Sequence, residues 1–350
     1  MSVAEIWDSL EEWSAAGARS GVATLVRVRR SAPRAPGARF AASERGELAG
    51  SVSSGCVEGD LHEHIQQVLA DGTPRLLHYG ITDEMAAEVG LACGGEIDVL
   101  VSPHDPHDVA WLEVGRVVEA GEAAVMVTGL SERVRGRRML VRLDGRSFGT
   151  LGDAMLDREA AEATASLFDT GETRILELPM PSPAEAVELF VEAFLPPPRL
   201  AIVGATPVAA ALCHLATYLG FSVVVIDPRE AFARHDRFPD ATEVVRSWPE
   251  EGLERAGLDR YLNVVVLAHD RKLDVPALAA ALRAGCLYVG QIGGGRTQRL
   301  RREALAELGF GESDVDRIHG PVGLDIGARA PEEIALSILG EILAVRHGKR

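Results

Sequence analysis

The run from Leu200 to Ile226 contains no Lys, Arg, Asp or Glu, and it constrains the fold more than any other segment. Its length would suit a membrane-spanning helix. However, its β-branched residues cluster at the two ends, at 202–203 and 223–226, and Pro207 and Gly220 interrupt the Ala- and Leu-rich stretch between them. This pattern predicts a strand, a helix and a second strand, all buried as in a parallel sheet.

Alternating strands and helices continue to the C-terminus. Strands are predicted at 199–203, 222–226, 263–268 and 287–289, and helices at 208–219, 275–283, 299–308 and 330–346. Such alternation is typical of a Rossmann-like, doubly wound parallel sheet. We therefore expect an α/β chain whose C-terminal domain has this fold.

Pro196-Pro197-Pro198 marks a linker, because three consecutive prolines cannot continue a helix or a central strand. We divide the chain there into a cysteine-bearing domain, 1–195, and a Rossmann-like domain, 199–350. The first domain mixes helical and strand patterns, so we expect an α+β fold. No repeat of fixed period is visible, and the pattern between 105 and 195 does not specify a topology.

Charge and cysteine content limit the class of protein. Thirty-six basic and 52 acidic residues give a formal net charge of −16, which disfavours nucleic acid and anionic membranes as partners. Four cysteines in 350 residues do not form a disulfide scaffold, and the start of the chain lacks the basic residues of a signal peptide. We expect a protein of the reducing cytoplasm without a membrane span.

Two cysteines lie in glycine-rich segments, Ser53-Ser54-Gly55-Cys56-Val57-Glu58-Gly59 and Leu91-Ala92-Cys93-Gly94-Gly95. A helical pattern follows Cys56, so its thiol is expected at or just before a helix N-terminus, where amide hydrogens and the helix dipole stabilise a thiolate. Soft thiolates suit a soft metal or a transferable sulfur. Cys56 and Cys93 are therefore candidate metal ligands and, with Glu58, candidate catalytic residues. An inert cysteine in a turn is the alternative.

A basic loop precedes the first cysteine. Arg29, Arg30, Arg34 and Arg39 lie within eleven residues and are candidates for neutralising a phosphate group, to which the amides around Gly55 would also donate. The alternatives are a solvated loop and, for Glu58, an acid in the first turn of a helix. A zinc site that adds His62 and His64 to the two thiols has no usual ligand spacing.

In the Rossmann-like domain, candidate ligand residues follow the predicted strands, where ligands of this fold bind. Gly204 follows the first strand, and Asp227 lies 23 residues beyond it, at the spacing of an acid that binds ribose. His269 ends the third strand, and Arg296 follows the glycines at 293–295. Thr206 interrupts the glycine fingerprint, which weakens the case for NAD(P). For His269 and His319, an ordinary loop residue is the alternative to a ligand contact.

These motifs resemble those of the XdhC/CoxI family, the accessory proteins of molybdenum hydroxylases. The resemblance rests on Ser31-Ala32-Pro33-Arg34 with Gly37, on Gly50-Ser51 with 54–59, on 90–95, on His269-Asp270 with 272–274, on Arg296-Thr297, and on Ile318-His319-Gly320-Pro321-Val322-Gly323-Leu324-Asp325-Ile326-Gly327-Ala328-Arg329. It implies a protein that binds molybdenum cofactor, protects it while its terminal sulfur is installed, and passes it to an apo-hydroxylase such as xanthine dehydrogenase or carbon monoxide dehydrogenase. A cysteine desulfurase and a second copy of the chain are further candidate partners.

The implied cofactor contacts fall in both domains. They are Arg34, Gly37, Ser54, Gly55, Cys56, Cys93, Gly94, Gly95, Gly204, Asp227, His269 and Arg296. Where the family has Gly-Ala-Gly-His and Ser-Arg-Arg-Thr, this chain has 204–207 as Gly-Ala-Thr-Pro and 294–297 as Gly-Gly-Arg-Thr, so the main contacts are expected in the first domain. We expect a cofactor chaperone rather than an enzyme. An NAD(P)-dependent oxidoreductase and a thiol-based redox or sulfur-transfer enzyme are the alternatives.

Overall fold

The computed structural model describes residues 4–80, 95–179 and 186–349. The chain forms two compact units, Met1–Leu195 and Pro196–Arg350. Across the described residues, no helix has both the length and the apolar content needed to cross a membrane.

The first unit is built from two antiparallel sheets. Its strands are β1 (Ser20–Arg29), β2 (Arg39–Ser43), β3 (Leu48–Gly50), β4 (Arg75–Gly80), β5 (Glu96–Pro103), β6 (Ala124–Gly129), β7 (Arg138–Arg142), β8 (Ser147–Gly149), β9 (Thr173–Leu178) and β10 (Val187–Phe194). Its helices are α1 (Ala4–Ala15), α2 (Glu58–Asp71), α3 (Val109–Ala120), α4 (Ala154–Ala163) and α5 (Leu167–Thr170). The sheets have the strand orders β3-β2-β1-β5-β4 and β8-β7-β6-β10-β9.

The two sheets have the same topology, so the first unit is a structural duplication. We name the described residues of 4–103 repeat 1 and those of 109–194 repeat 2. Local contacts repeat as well: a Cβ on Gly50 would lie 2.3 Å from the carbonyl oxygen of Arg39, and one on Gly149 would lie 2.5 Å from that of Arg138. Both glycines have a positive φ, so each turn needs glycine for the same two reasons.

Contacts between the repeats are reciprocal, as in two copies related by an approximate two-fold axis. Arg39 of repeat 1 donates to Glu192 on β10, and its equivalent Arg138 donates to Ser102 on β5 at 2.7 Å. Thr24 pairs with Arg39 and Thr128 with Arg138, so equivalent residues are 104 apart in the first strands and 99 apart in the second. This changing separation is why the sequence shows no fixed period.

The second unit is a parallel α/β domain, as the sequence predicts. Its strands are β11 (Arg199–Val203), β12 (Ser222–Ile226), β13 (Glu243–Val245), β14 (Leu262–Val266), β15 (Tyr288–Gln291) and β16 (Ile318–His319). Its helices are α6 (Pro207–Tyr218), α7 (Pro249–Arg255), α8 (Arg271–Arg283), α9 (Gly295–Glu307), α10 (Glu312–Val315) and α11 (Pro331–Arg346). The order is β13-β12-β11-β14-β15-β16, the Rossmann arrangement. The uncharged run folds as β11, α6 and β12, which confirms the predicted strand, helix and strand.

Candidate functional site

Cys56 lies directly before the N-cap of α2, which is Val57, as the sequence predicts. Ser54 and Gly55 have φ values of 64° and 114°, so the chain turns sharply before the helix. The amide of Ser54 donates to the Ser51 hydroxyl at 2.8 Å, and Ser54 is exposed. The Cys56 thiol is free and partly buried, so a ligand or partner has access to it. We call residues 50–57 the Cys56 turn.

Glu58 organises this turn through six hydrogen bonds. One carboxylate oxygen accepts from the Ser51 hydroxyl and the amides of Val52 and Ser53, and the other accepts from the Ser53 hydroxyl and the amides of Gly55 and Val57, at 2.6–3.2 Å. Although partial burial opposes ionisation, these donors lower the pKa of Glu58 from 4.5 to about 2. Glu58 is therefore a fixed anion.

The expectation that the amides of this turn are available to a ligand or a thiolate is wrong. The amides around Gly55 were expected to donate to a ligand phosphate or to stabilise a thiolate, but those of Gly55 and Val57 donate to Glu58, and that of Cys56 donates to the Ser53 hydroxyl at 3.0 Å. The Cys56 thiol itself donates to the Ser53 carbonyl oxygen at 3.4 Å. Glu58 therefore already accepts from amides that a ligand anion or a thiolate would otherwise use.

Three of the four arginines of the basic loop, Arg29, Arg34 and Arg39, pair with different acids. Arg39 is 3% exposed and pairs with Glu192, while its Nη1 also donates to the carbonyl oxygen of Gly37 at 3.0 Å. Arg29 pairs with Asp98 and Glu96. Arg34 pairs with Glu5 at 2.5 Å, and both side chains are about one-third exposed. An exposed ion pair contributes only ~0–1 kcal/mol, so Arg34 can exchange Glu5 for a ligand phosphate, whereas Arg39 is structural.

The described ends of the candidate segments lie at one end of the first sheet. Arg29 at the end of β1 pairs with Glu96 at the start of β5, and Gly95 contacts the backbone of the basic loop so closely that a Cβ on it would lie 1.8 Å from the Ser31 carbonyl oxygen. Tyr79 of β4 donates to Asp60 in the first turn of α2 at 2.6 Å. The basic loop, the Cys56 turn and the residue that follows Gly94 are therefore neighbours.

Cys93 and Gly94 lie outside the described residues, so the predicted meeting of Cys93 with Cys56 is not described. The part of the chain that the structure describes contains no group of three or more His, Cys, Asp or Glu residues that could hold a metal ion.

Repeat 2 has a counterpart of the Cys56 turn that lacks its cysteine. Asp157 takes the place of Glu58: it accepts from the Thr150 hydroxyl and from the Leu151 amide, both at 2.7 Å, as Glu58 does from Ser51 and Val52. With this register, Met155 aligns with Cys56, although Met155 is the second residue of α4 and Cys56 precedes the N-cap of α2. The acid and its turn are therefore structural features of both repeats, and the thiol belongs to repeat 1 alone.

Repeat 1 also differs from repeat 2 in two connections. The connection from Thr24 to its partner Arg39 is five residues longer than that from Thr128 to Arg138, and this difference falls in the basic loop. Between paired residues of the last two strands, repeat 1 has 15 residues, from Gly80 to Glu96, and repeat 2 has eight, from Leu178 to Val187. The longer connection holds Cys93. All three candidate segments therefore coincide with the departures of repeat 1 from repeat 2.

In the second unit, Asp227 directly follows β12 but is not open to a ribose. It is 0% exposed. Its oxygens accept from the Ala205 amide at 2.9 Å and from Arg229 at 2.7–3.0 Å, and these donors lower its pKa despite burial. The sequence predicts the acid at the correct strand end and cannot predict that Arg229 occupies it.

The glycine loop after β11 is closed by protein contacts. Gly204 has a φ of 104°, and a Cβ there would lie 2.5 Å from the amide nitrogen of Ala268. Thr206 caps α6 by accepting from the Ala209 amide at 3.2 Å, with Pro207 in the first turn. Close packing between the loops after β11 and β14 explains Gly204, and helix capping explains Thr206.

The remaining predicted residues of this unit lie at the carboxyl ends of the strands. His269 is exposed and has a φ of 56°, and Arg296 is exposed in the first turn of α9. His319 is less ordinary, because its Nδ1 lies 3.4 Å from a carboxylate oxygen of Glu341 and its ring stacks on Tyr288 at 4.7 Å.

Sequence reasoning missed the buried carboxylate of Glu341. It is 0% exposed and accepts from the Tyr288 hydroxyl at 2.6 Å and the Gly323 amide at 2.7 Å. These donors and His319 lower the pKa of Glu341 to about 2 against the effect of burial. The available signal was the position of Glu341 among apolar residues in the predicted final helix. A lone acid on an apolar helix face needs hydrogen-bond or charge partners.

Comparison with known protein families gives two matches. The model described as "XdhC and CoxI family" matches residues 13–80 and 117–179, and the model described as "XdhC Rossmann domain" matches residues 200–342. The first two ranges fall one in each repeat, and each runs from the first helix of the repeat to the end of its fourth strand.

Similar proteins cover nearly the whole chain. A Bacillus subtilis protein named as a probable subunit of xanthine dehydrogenase is 29% identical over 93% of this chain and 92% of its own length. The Escherichia coli molybdenum cofactor insertion chaperone PaoD is 26% identical over 92% of this chain and 82% of its own length. A crystal structure from Bacillus halodurans, described as a xanthine dehydrogenase, is 26% identical with a TM-score of 0.63, covering 98% of this chain and 96% of its own.

Proposed function

The chain belongs to the XdhC and CoxI family, and from that premise we propose that it binds molybdenum cofactor, assists the installation of its terminal sulfur and delivers it to a molybdenum hydroxylase. The relative PaoD, named a molybdenum cofactor insertion chaperone, supports this role. One observation carries the placement of the site: the basic loop, the thiol of the Cys56 turn and the Cys93 connection are all places where repeat 1 departs from repeat 2.

The comparison between repeats separates function from folding. A turn closed by an acid of the following helix is present in both repeats, through Glu58 and Asp157, so the fold requires it. The fold does not require a thiol, since Met155 stands at the equivalent position. A partly exposed thiol beside a longer basic loop therefore serves a ligand, and a soft thiolate is suited to a molybdenum–sulfur centre.

Each candidate residue has a distinct role in this proposal. Arg34 exchanges its exposed pairing with Glu5 for the cofactor phosphate, and Cys56 faces the metal–sulfur end. Cys93, which lies outside the described residues, supplies the second thiol. Glu58 holds the turn and touches no ligand. The contacts of Arg39 and Asp227 assign them to folding, so the cofactor is held mainly by repeat 1.

Client and partners follow from the same premise. The client is a hydroxylase of the xanthine dehydrogenase or carbon monoxide dehydrogenase type, a cysteine desulfurase supplies the sulfur, and two copies of the chain associate. A reducing, cytoplasmic location stays a prediction from the cysteine content.

Two other functions compete with a chaperone role. An NAD(P)-dependent oxidoreductase needs Asp227 free for a ribose, and the pairing with Arg229 argues against it. A sulfur-transfer enzyme would use Cys56 as a thiolate that attacks the outer sulfur of a desulfurase persulfide, so that the desulfurase cysteine leaves as a thiolate. In that case Cys56→Ala and Cys93→Ala would abolish persulfide formation and leave cofactor binding intact.

The test is cofactor retention. The full chain is purified from cells that make molybdenum cofactor, and bound cofactor is measured by metal analysis and by the fluorescence of its oxidised pterin. We expect Cys56→Ala and Arg34→Ala each to lower retention at least fivefold, while Met155→Ala, the matched change in repeat 2, leaves it unchanged. Equal retention in all variants would remove the site from repeat 1.

A further inference from the structure

A pocket of about 260 Å³ opens in the first unit between α1, α3 and the segment that precedes α3. Its walls include Trp7, Leu10 and Glu11 of α1, Trp111 of α3, and His104. The rings of Trp7 and Trp111 stack at 5.7 Å with an interplanar angle of 19°. Nothing in the proposed function uses this pocket.

The pocket arises from a difference between the two repeats. Ile6 and Ala110 are equivalent, because they face the equivalent glycines Gly50 and Gly149, and so Trp7 and Trp111, which follow them, are equivalent as well. Four residues further along each helix, repeat 2 has Gly115 and repeat 1 has Glu11.

The difference between Gly115 and Glu11 determines where the indole rings of Trp7 and Trp111 pack. A Cβ on Gly115 would lie 2.4 Å from Cζ2 of Trp7, so the Trp7 ring lies directly over this glycine. In repeat 1 the equivalent position on α1 is Glu11, whose side chain prevents the Trp111 ring from packing there in the same way. The space that a symmetric packing would have closed is therefore left open beside two indole rings.

Two polar groups that line the pocket, His104 and Glu11, offer hydrogen-bond acceptors, and Ser14 adds a hydroxyl that can donate or accept. Burial and the charge of Arg138 lower the pKa of His104 to about 4, so its imidazole is neutral near pH 7 and one ring nitrogen accepts. The ring of His104 also packs edge-on against Trp111 at 5.8 Å. Glu11 adds an exposed carboxylate.

Among the described residues, no cationic side chain lines the pocket, which argues against an anionic ligand. The guanidinium groups of Arg39 and Arg138 lie 5.6 Å from the centroid of the Trp111 ring, but they pair with Glu192 and Asp108. The volume lies below the ~300–1,000 Å³ of pockets for drug-sized ligands, so the pocket suits a group of about two fused rings.

We infer that this pocket binds an uncharged, planar nitrogen heterocycle that carries N–H donors. The open face of one indole of the stacked Trp7–Trp111 pair packs on its face, and His104 and Glu11 accept from its edge. The pterin end of molybdenum cofactor is such a group, and this identification rests on the proposed function. It would add an apolar contact to a cofactor whose phosphate and metal–sulfur ends are bound elsewhere.

The test is a titration of the full chain with 6-hydroxymethylpterin, followed by quenching of tryptophan emission and by sensitised pterin emission. A Trp248→Phe background removes the tryptophan of the second unit, leaving Trp7, Trp13 and Trp111. We expect saturable quenching, binding weakened roughly three- to tenfold by His104→Phe and by Glu11→Gln, and no change with Glu12→Gln, an exposed neighbour on the same helix. Circular dichroism checks that each variant is folded.

Each outcome decides the inference. Unsaturable quenching, or equal affinity in all variants, overturns it. If N-acetyltryptophanamide binds with the same dependence on His104 and the pterin does not, the occupant is an aromatic side chain of a partner and the heterocycle is excluded. Cofactor retention that is unchanged in Trp7→Ala refutes the pterin assignment and leaves the proposed function standing. Pterin binding in a chain that retains no cofactor would refute the proposed function and leave the inference about this pocket standing.

Discussion

Replacing Glu58 with Gln should loosen the Cys56 turn more than any change at an exposed acid of α2. The carboxylate accepts six hydrogen bonds, and a carboxamide would place its NH₂ against three of the donors. The fall in the pKa of Glu58 from 4.5 to about 2 corresponds to roughly 3 kcal/mol. Because the group is only partly buried, solvent screening reduces the expected loss of unfolding free energy to about 1–2 kcal/mol.

The pH dependence follows from the direction of the pKa shift. A carboxylate whose pKa is lowered by folding stabilises the folded state fully above its unfolded pKa of 4.5 and loses that contribution as the pH falls towards about 2. The difference in unfolding free energy between wild type and Glu58→Gln should therefore be constant from pH 7 to pH 5 and should shrink below pH 4.5.

Two assays measure this effect. Urea unfolding at several pH values gives the free-energy difference, with Glu63→Gln as the matched control, since Glu63 is exposed on the same helix. Alkylation of Cys56 in a Cys93→Ala background reports opening of the turn, because burial raises the pKa of Cys213 to about 11 and of Cys286 to about 12 and keeps both unreactive. Equal stability and equal alkylation rates in wild type and Glu58→Gln would refute the reasoning.

Two further changes test the ion pairs of two buried carboxylates, Glu192 and Asp227. Glu192→Gln leaves Arg39 buried without its carboxylate and should lower the unfolding free energy of the first unit by about 3–5 kcal/mol; a loss below 1 kcal/mol in urea unfolding would show that the pair is solvated. Asp227→Asn removes the charge that holds Arg229 and should lower the melting temperature of the second unit; because the Arg229 side chain is 41% exposed, the expected loss is about 1–2 kcal/mol, and an unchanged calorimetric transition would contradict it.

The fold of the second unit was predictable because its four longer strands, β11, β12, β14 and β15, are buried along almost their whole length. Continuous apolar runs such as 200–203 and 223–226 are the pattern that such strands show in a parallel sheet. The strands that the sequence did not predict, β13 and β16, have three and two residues, too few to establish a pattern.

The duplication in the first unit was not predictable for a physical reason. Its equivalence lies in contacts, such as Gly50 and Gly149 against the carbonyl oxygens of Arg39 and Arg138, and these contacts require few identical side chains. The loops that separate them differ in length. Patterns of apolar residues therefore do not superimpose at any single offset.

Residue types at the candidate site were predictable, and their partners were not. Arg34 and Arg39 lie five positions apart in one basic loop and look equivalent in the sequence. Arg39 begins β2 and points to Glu192, about 150 residues away in the chain, whereas Arg34 meets Glu5 near the surface. Only a tertiary contact of that separation decides which cation is structural and which is available.

In the second unit, a structural contact between Asp227 and Arg229 leads to a prediction about NAD binding. If the interrupted fingerprint alone prevented binding, Thr206→Gly would create an NAD site, at a small cost because glycine is tolerated at an N-cap. We expect that variant to bind no better than wild type, because Arg229 still holds Asp227. Thr206→Gly with Arg229→Ala should bind NAD at least tenfold more tightly in calorimetric titration. Arg234→Ala, which breaks an exposed Arg–Asp pair of the same spacing, is the control. NAD binding by the single Thr206→Gly variant would show that the backbone, and not the occupied acid, closes this site.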